Sequence, residues 1–276
     1  YNTISDFTNN LPASNKIIVY NYPLASDYKL ADSAWLPEAR IIKTNLRGAY
    51  QFYTYSQGDP IVFDFSVKDI NENADADPIE VNLYQGDKLV TRATLADDVD
   101  RSDTERVLRL ATDKIPVGVY RLEYKANNDI ITTQIKTQQS KLAFSGAVWL
   151  AETGQSTVNL YTDSAEINLQ TINPRSLQTI NFANQPFTLA ETYKQYDFSI
   201  NRFDSKIKIV SLKHGDLKIA SNSLLAVSEA DFFNPLLRQL PRKASDTNLG
   251  ADFILANYQP AKRLANGDWE STLEFD

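Results

Sequence analysis

The residues best suited to chemistry lie in one acidic loop. Between Asp69 and Pro78, oxygen-bearing side chains recur at every second position, at Asp69, Asn71, Asn73, Asp75 and Asp77. Calcium takes about six to eight oxygen ligands, and a loop that offers carboxylates and amides in alternation can wrap around this ion. The spacing overlaps that of an EF-hand loop, but Ala74 stands where the sharp turn of an EF-hand requires glycine.

Further carboxylates are expected near this loop. If the strands run antiparallel in chain order, the loops at residues 69–77, 96–104 and 127–129 share one end of the fold. Crowded carboxylates repel one another unless a cation or solvent screens them. The sequence therefore predicts a calcium site formed by Asp69, Asn71, Asn73, Asp75, Asp77, Asp97, Asp98 and Asp129. The alternative is a set of ordinary, solvated hairpin loops.

An aromatic strand offers a second kind of site. Along one strand, Tyr50 and Phe52 point to one face, and Tyr53 and Tyr55 point to the other. If the first pair faces the core, Tyr53 and Tyr55 form an exposed pair that can stack on a sugar ring or on a partner protein. The alternative is that the N-terminal segment or a second domain covers this pair.

The composition excludes several chemistries. The chain has no Cys, no Met and one His, so it has no disulfide, no Cys-ligated zinc, no thiol nucleophile and no multi-histidine metal site. The histidine, His214, lies in a predicted turn, and no Gly-x-Ser-x-Gly elbow is present. We assign no catalytic residue. With 35 acidic residues, a carboxylate pair for glycoside hydrolysis stays open as an alternative.

The charge and hydropathy patterns bear on partners and location. There are 28 basic and 35 acidic residues, a net charge of −7, and the basic residues are scattered. Nucleic-acid binding needs a cationic footprint and is therefore not expected. No apolar run is long enough for a transmembrane segment. The sequence opens on Tyr1 without an initiator Met, and we expect a signal or anchor to lie outside it.

Alternating apolar and polar residues predict an all-β fold. Strands are expected at Ile61–Lys68, at Ile79–Tyr84 and Lys88–Leu95 as a hairpin, and at many later segments. One short helix is predicted near residues 228–240, because Ser228 and Asp231 have the spacing of a capping box. Several short strands separated by polar turns favour antiparallel β-sandwiches.

The strand pattern divides the chain into three segments. Residues 1–45 are interrupted by Pro12, Pro23 and Pro37 and are predicted to form an extended strap that packs on the first domain. Residues 46–139 are predicted to form the first sandwich. The alternation restarts after a polar stretch at residues 137–140, so residues 140–276 are predicted to form the second sandwich.

Part of the first predicted sandwich resembles the Ig-like modules of bacterial and archaeal cell-surface proteins. The residues that carry the resemblance are Pro78–Tyr84, Lys88–Val90 and Ile115–Tyr124, within residues 77–128. Pro116 stops strand pairing, Gly118 permits a bend and Tyr120 anchors the strand in the core. The resemblance implies a structural or adhesive role at a cell surface.

These observations predict a non-catalytic extracellular protein that binds a protein or a glycan at a cell surface, with calcium as a stabilising ion. The alternative is a carbohydrate-active hydrolase or a carbohydrate-binding module that uses an acidic or aromatic surface. The two differ in what they require, because a hydrolase needs two convergent carboxylates in a cleft.

Overall fold

A computed structural model describes most of the chain as two compact units. It describes residues 30, 33–43, 45–70, 76–97, 104–151, 157–172, 178–200, 207–212 and 215–235, and the backbone of strands at 16–21, 237–239, 252–258, 262–263, 269–270 and 273–275. The larger unit comprises Ser26–Asn201 and Lys206–Phe233. The smaller unit comprises Tyr1–Ala25, Arg202–Ser205 and Asn234–Asp276.

The described residues form strands and no helix, which confirms the all-β prediction. The first twelve strands are β1 Lys16–Asn21, β2 Trp35–Ile42, β3 Leu46–Arg47, β4 Tyr50–Ser56, β5 Pro60–Asp69, β6 Ile79–Gln85, β7 Lys88–Leu95, β8 Arg106–Lys114, β9 Gly118–Lys125, β10 Ile130–Gln139, β11 Ala143–Ser145 and β12 Val148–Leu150. The others are β13 Val158–Thr162, β14 Glu166–Thr171, β15 Gln178–Phe182, β16 Gln185–Leu189, β17 Gln195–Ser199, β18 Lys208–Leu212, β19 Leu217–Ser221, β20 Leu237–Gln239, β21 Asp252–Tyr258, β22 Lys262–Arg263, β23 Trp269–Glu270 and β24 Leu273–Phe275.

The larger unit contains three antiparallel sheets. The largest has nine strands in the order β17-β14-β19-β12-β3-β10-β5-β8, with β2 paired to β10 beside this path. A five-stranded sheet has the order β11-β4-β9-β6-β7, and a four-stranded sheet has the order β13-β18-β15-β16. The predicted boundary between residues 139 and 140 falls within this unit. The nine-stranded sheet contains strands from both sides of that boundary, because β3 pairs with both β10 and β12.

The alternation of the strands places one apolar face inside. In β5, Ile61, Phe63, Phe65 and Val67 are fully buried. The rings of Phe52 and Phe63 lie 5.2 Å apart between centroids, and those of Phe65 and Tyr124 lie 5.4 Å apart. These contacts join the five-stranded sheet to the nine-stranded sheet across the core.

The smaller unit is built from strands that are distant in sequence. Its four-stranded sheet has the order β20-β1-β21-β24, and a two-stranded sheet pairs β22 with β23. β1 pairs in parallel with β21, whereas the other described pairings are antiparallel. The predicted N-terminal strap therefore contributes to both units, since β1 lies in this sheet and β2 lies along β10.

The predicted short helix at residues 228–240 is wrong for the residues that are described. Glu229–Asp231 form a turn, and Leu237–Gln239 form strand β20. The capping hydrogen bond is present, since the Asp231 amide donates to Ser228 Oγ at 3.2 Å. The chain leaves the turn because Phe232 and Phe233 are both buried in a second apolar cluster, and adjacent residues of a helix do not share one face. Within the described part of the chain, nothing forms a helix long and apolar enough to span a membrane.

Candidate metal centre

The acidic residues of the predicted site lie at the ends of three strands. Asp69 is the last residue of β5, Asp77 precedes β6, and Asp97 follows β7. β5 and β6 are buried along one face, and β7 is half-buried along one face, so the chain turns polar where these strands end. The three strand ends therefore meet at one end of the fold, as the antiparallel order of the strands predicts.

The carboxylates of Asp69, Asp77 and Asp97 form a compact group, which we call the acidic pole. One carboxylate oxygen from each residue lies within 4.8 Å of the others. Asp69 and Asp77 are each 2% exposed, and Asp97 is half-buried. The Asp77 amide donates a hydrogen bond to Asp97 Oδ1 at 3.2 Å, which fixes one side of the group.

Asp129 lies next to the acidic pole but is not one of its three carboxylates. Its carbonyl oxygen accepts a hydrogen bond from the Ile70 amide at 3.0 Å, and its neighbour Ile130 pairs with Asp69. Asp129 is 2% exposed. The remaining predicted ligands, Asn71, Asn73, Asp75 and Asp98, lie outside the described residues, as does His214.

A positive side chain also lies close to the acidic pole. Arg106, the first residue of β8, donates from Nη1 to the carbonyl oxygen of Ala96 at 2.7 Å. This contact places a guanidinium beside the residue that precedes Asp97. The pole can therefore be neutralised by an external cation or, in part, by this arginine.

The aromatic pair on β4 does not form an exposed surface. Tyr55 is 2% exposed, and its hydroxyl accepts a hydrogen bond from the Leu30 amide at 3.0 Å. Tyr53 packs against the same apolar cluster, whose buried members include Phe232 and Phe233. The segment that precedes β2 and the turn after residue 228 therefore cover this face of the strand.

Sequence reasoning missed a groove between β2, β13 and the turn after residue 227. Its volume is about 410 Å³, and its lining includes Arg40, Lys43, Asn159, Tyr161 and Asp231. Arg40 forms an ion pair with Asp231, whose side chain is 3% exposed. Among the described residues of this lining, Asp231 supplies one carboxylate, so the groove does not bring together the acid pair that glycoside hydrolysis requires. No local pattern in the sequence brings residues 40 and 231 together.

No protein-family model matches the chain, and no curated protein matches it. Among solved structures, the chain is similar to the dimeric latent form of PorU from Porphyromonas gingivalis, with 11% sequence identity and a TM-score of 0.21. The similarity covers 83% of this chain and 21% of PorU. The chain therefore spans about one fifth of the length of PorU, and a TM-score this low supports no conclusion about fold or function.

Proposed function

We propose that the chain is a non-catalytic module of an extracellular surface protein, with a structural or binding role, and that calcium stabilises it at the acidic pole. The observation that carries the metal proposal is the meeting of Asp69, Asp77 and Asp97. These residues come from three separate strand ends, and their carboxylate oxygens lie within 4.8 Å of one another.

The electrostatics of the acidic pole favour a divalent cation. Two like charges about 4 Å apart repel by about 4 kcal/mol at the effective dielectric constant of a protein surface. Water screens this repulsion poorly at Asp69 and Asp77, because both residues are buried. Calcium prefers oxygen ligands and accepts irregular geometry, so the three carboxylates, with carbonyl oxygens and water, suit it.

Strand pairing supports an Ig-like arrangement for the first part of the larger unit. β5 pairs with β8, and β6 pairs with β9, as strands B with E and C with F do in Ig domains. Tyr120 donates from its hydroxyl to the Pro116 carbonyl oxygen at 2.7 Å, which is the contact of a tyrosine corner. The surface role itself rests on the resemblance of residues 77–128 to Ig-like surface modules.

Thermal melting tests the metal proposal. We expect the melting temperature in 1 mM calcium to exceed that in chelator by roughly 5–10 °C, since a ligand at about 100 times its Kd adds about 2.7 kcal/mol. Magnesium at the same concentration should give a smaller shift, because it demands near-octahedral geometry and loses its water reluctantly. An unchanged melting temperature in calcium would contradict the site.

Variants locate the effect on the acidic pole. Asp97→Asn should remove most of the calcium-dependent shift, whereas Asp113→Asn should keep it, because Asp113 is an exposed residue near the far end of β8. If Arg106 neutralises the pole instead, Asp97→Asn will leave the response to calcium unchanged. Calorimetric titration of calcium into the wild type gives the stoichiometry, which should be one ion for the acidic pole.

Surface labelling tests the location. An antibody against the larger unit should bind intact cells that produce the full-length protein. Binding that appears after permeabilisation alone would overturn the extracellular proposal and leave the metal proposal standing.

A further inference from the structure

A straight row of side chains crosses the outer face of the nine-stranded sheet. Strand register aligns the members of this row, which we call the cation row: Lys218 on β19, Trp149 on β12, Arg47 on β3, Ile131 on β10 and Lys68 on β5. On β19, β12 and β3, a residue adjacent to the member of the row is buried on the opposite face: Leu217, Leu150 and Leu46. The row therefore faces away from the core, and its members are half-buried.

The tryptophan of the row holds two of its cations against the sheet. The Arg47 guanidinium carbon lies 4.7 Å from the centroid of the Trp149 ring, and the Lys218 ammonium nitrogen lies 4.4 Å from it. Arg47 also donates from Nε to the Asn128 carbonyl oxygen at 2.6 Å. Cation–π contacts restrict long side chains that otherwise sample many rotamers. The positions of these two charges are therefore set before any ligand arrives.

The cations of the row recur at regular intervals. Lys218, Arg47 and Lys68 occupy alternate strands of the sheet. Because neighbouring strands lie about 4.8 Å apart, the backbones that carry successive cations are about 10 Å apart. The single strand between them contributes an uncharged side chain, Trp149 on β12 or Ile131 on β10. The row thus gathers three positive charges on a chain whose net charge is −7.

We propose that the cation row binds a linear anionic polysaccharide that runs across the strands and carries a carboxylate on every second sugar. The alternating charges of such a polymer complement cations separated by an uncharged residue. Along the axis of double-helical DNA, each strand carries a phosphate about every 3.4 Å, roughly three times the density of the row. The inference names a partner class for the surface role proposed above and rests on that role, but it does not depend on the metal site.

Titration with a defined polymer tests the proposal. The probe is an oligosaccharide of alternating uronic acid and N-acetylhexosamine, added to the full chain at low salt. We expect binding that weakens as salt rises and that changes the Trp fluorescence. Dextran, a neutral polymer, should not bind. Tighter binding of single-stranded DNA than of the oligosaccharide would overturn the choice of ligand, and a wild type that binds neither would overturn the site.

Charge-neutralising variants assign the binding to the row. Arg47→Gln combined with Lys218→Gln should weaken binding at least tenfold, whereas Lys88→Gln, at an exposed position at the start of β7, should leave it within twofold. Trp149→Phe should abolish the fluorescence change, because Trp149 is the tryptophan of the row. Melting temperatures separate a loss of binding from a loss of fold. Equal weakening by Lys88→Gln would show that binding follows net charge and would overturn the proposal. The calcium shift should persist in the double variant, so the two proposals fail separately.

Discussion

Buried tyrosines make the core sensitive to alkali at the scale of single residues. The rings of Tyr50 and Tyr124 stack with centroids 4.5 Å apart and planes within 6°, and the Tyr50 hydroxyl donates to Thr132 Oγ1 at 3.1 Å. Burial raises the pKa of Tyr50 and of Tyr124 well above 10, and it raises the pKa of Tyr120 to about 12. As the pH rises, each hydroxyl therefore ionises at a lower pH in the unfolded chain than in the folded protein.

Tyr120→Phe provides a pH-dependent measure of this effect. At pH 8 the variant should be less stable by about 1 kcal/mol, because it loses the hydrogen bond to Pro116. Above pH 10, ionisation of Tyr120 stabilises the unfolded state of the wild type. The difference in the free energy of unfolding between the wild type and the variant should therefore shrink toward pH 12. Urea unfolding of both proteins across this range measures the difference. A difference that stays constant with pH would contradict the raised pKa.

The ion pair of Arg40 and Asp231 provides a second test. Arg40→Ala leaves the buried Asp231 carboxylate without its guanidinium, and this should cost roughly 3–5 kcal/mol in the free energy of unfolding. Arg109→Ala is the matched control. Its partner Asp64 lies in a pair whose arginine side chain is 60% exposed, so the loss should stay below about 1 kcal/mol. Equal losses in the two variants would show that Asp231 is solvated after the arginine is removed.

Sequence spacing anticipated the acidic pole better than it anticipated this ion pair. The alternation of oxygen-bearing residues from Asp69 to Asp77 is local, and antiparallel order brings Asp97 to it. Arg40 lies on β2 and Asp231 lies in a turn 191 residues later, so no local sequence pattern indicates that the two residues pair. The burial of Tyr55 was equally hard to predict, because it depends on the distant segment that contains Leu30.

At the scale of elements, the two-residue strand β3 joins the two parts of the nine-stranded sheet. Leu46 pairs with Thr132 of β10 on one side and with Leu150 of β12 on the other. Gly48, which follows β3, has a φ of 69°, and an added Cβ would lie 2.9 Å from Asn128 Oδ1. The chain needs glycine to turn from β3 into β4 at this point. This short strand makes the nine-stranded sheet continuous.

Leu46→Ala should therefore destabilise the larger unit strongly. Leu46 is 1% exposed, and removing a buried leucine side chain costs about 2–5 kcal/mol. Leu89→Ala is the control, because Leu89 is 42% exposed on β7 and should cost less than about 0.5 kcal/mol. Denaturant unfolding measures both. A loss below 1 kcal/mol for Leu46→Ala would mean that the sheet tolerates a break at β3.

Local patterns predicted strands better than they predicted pairing. The alternation at Ile61–Lys68 and Ile79–Tyr84 locates β5 and β6 to within a residue or two. The capping box at Ser228 formed its hydrogen bond without a helix, because burial of Phe232 and Phe233 outweighs the local preference. The pairing of β3 with β10 and β12 could not be predicted, because two residues show no periodicity and the partner strands are distant in sequence.

At the scale of the whole molecule, charge is distributed unevenly although composition suggests diffuse acidity. Three carboxylates meet at the acidic pole, while Lys218, Arg47 and Lys68 line up on the outer face of the nine-stranded sheet. β5 contributes to both features through adjacent residues, since Lys68 belongs to the row and Asp69 to the pole. Alternation along one strand thus separates an anionic site from a cationic site by a single peptide unit.

The parallel pairing of β1 with β21 constrains the order in which the protein assembles during translation. β1 leaves the ribosome before its described partners, β20 and β21, which are synthesised after every described strand of the larger unit. The larger unit can therefore complete its core before β1 can pair with β20 and β21. Closing so long a loop costs conformational entropy, so we expect the pairing of β1 to be slower than the folding of the larger unit.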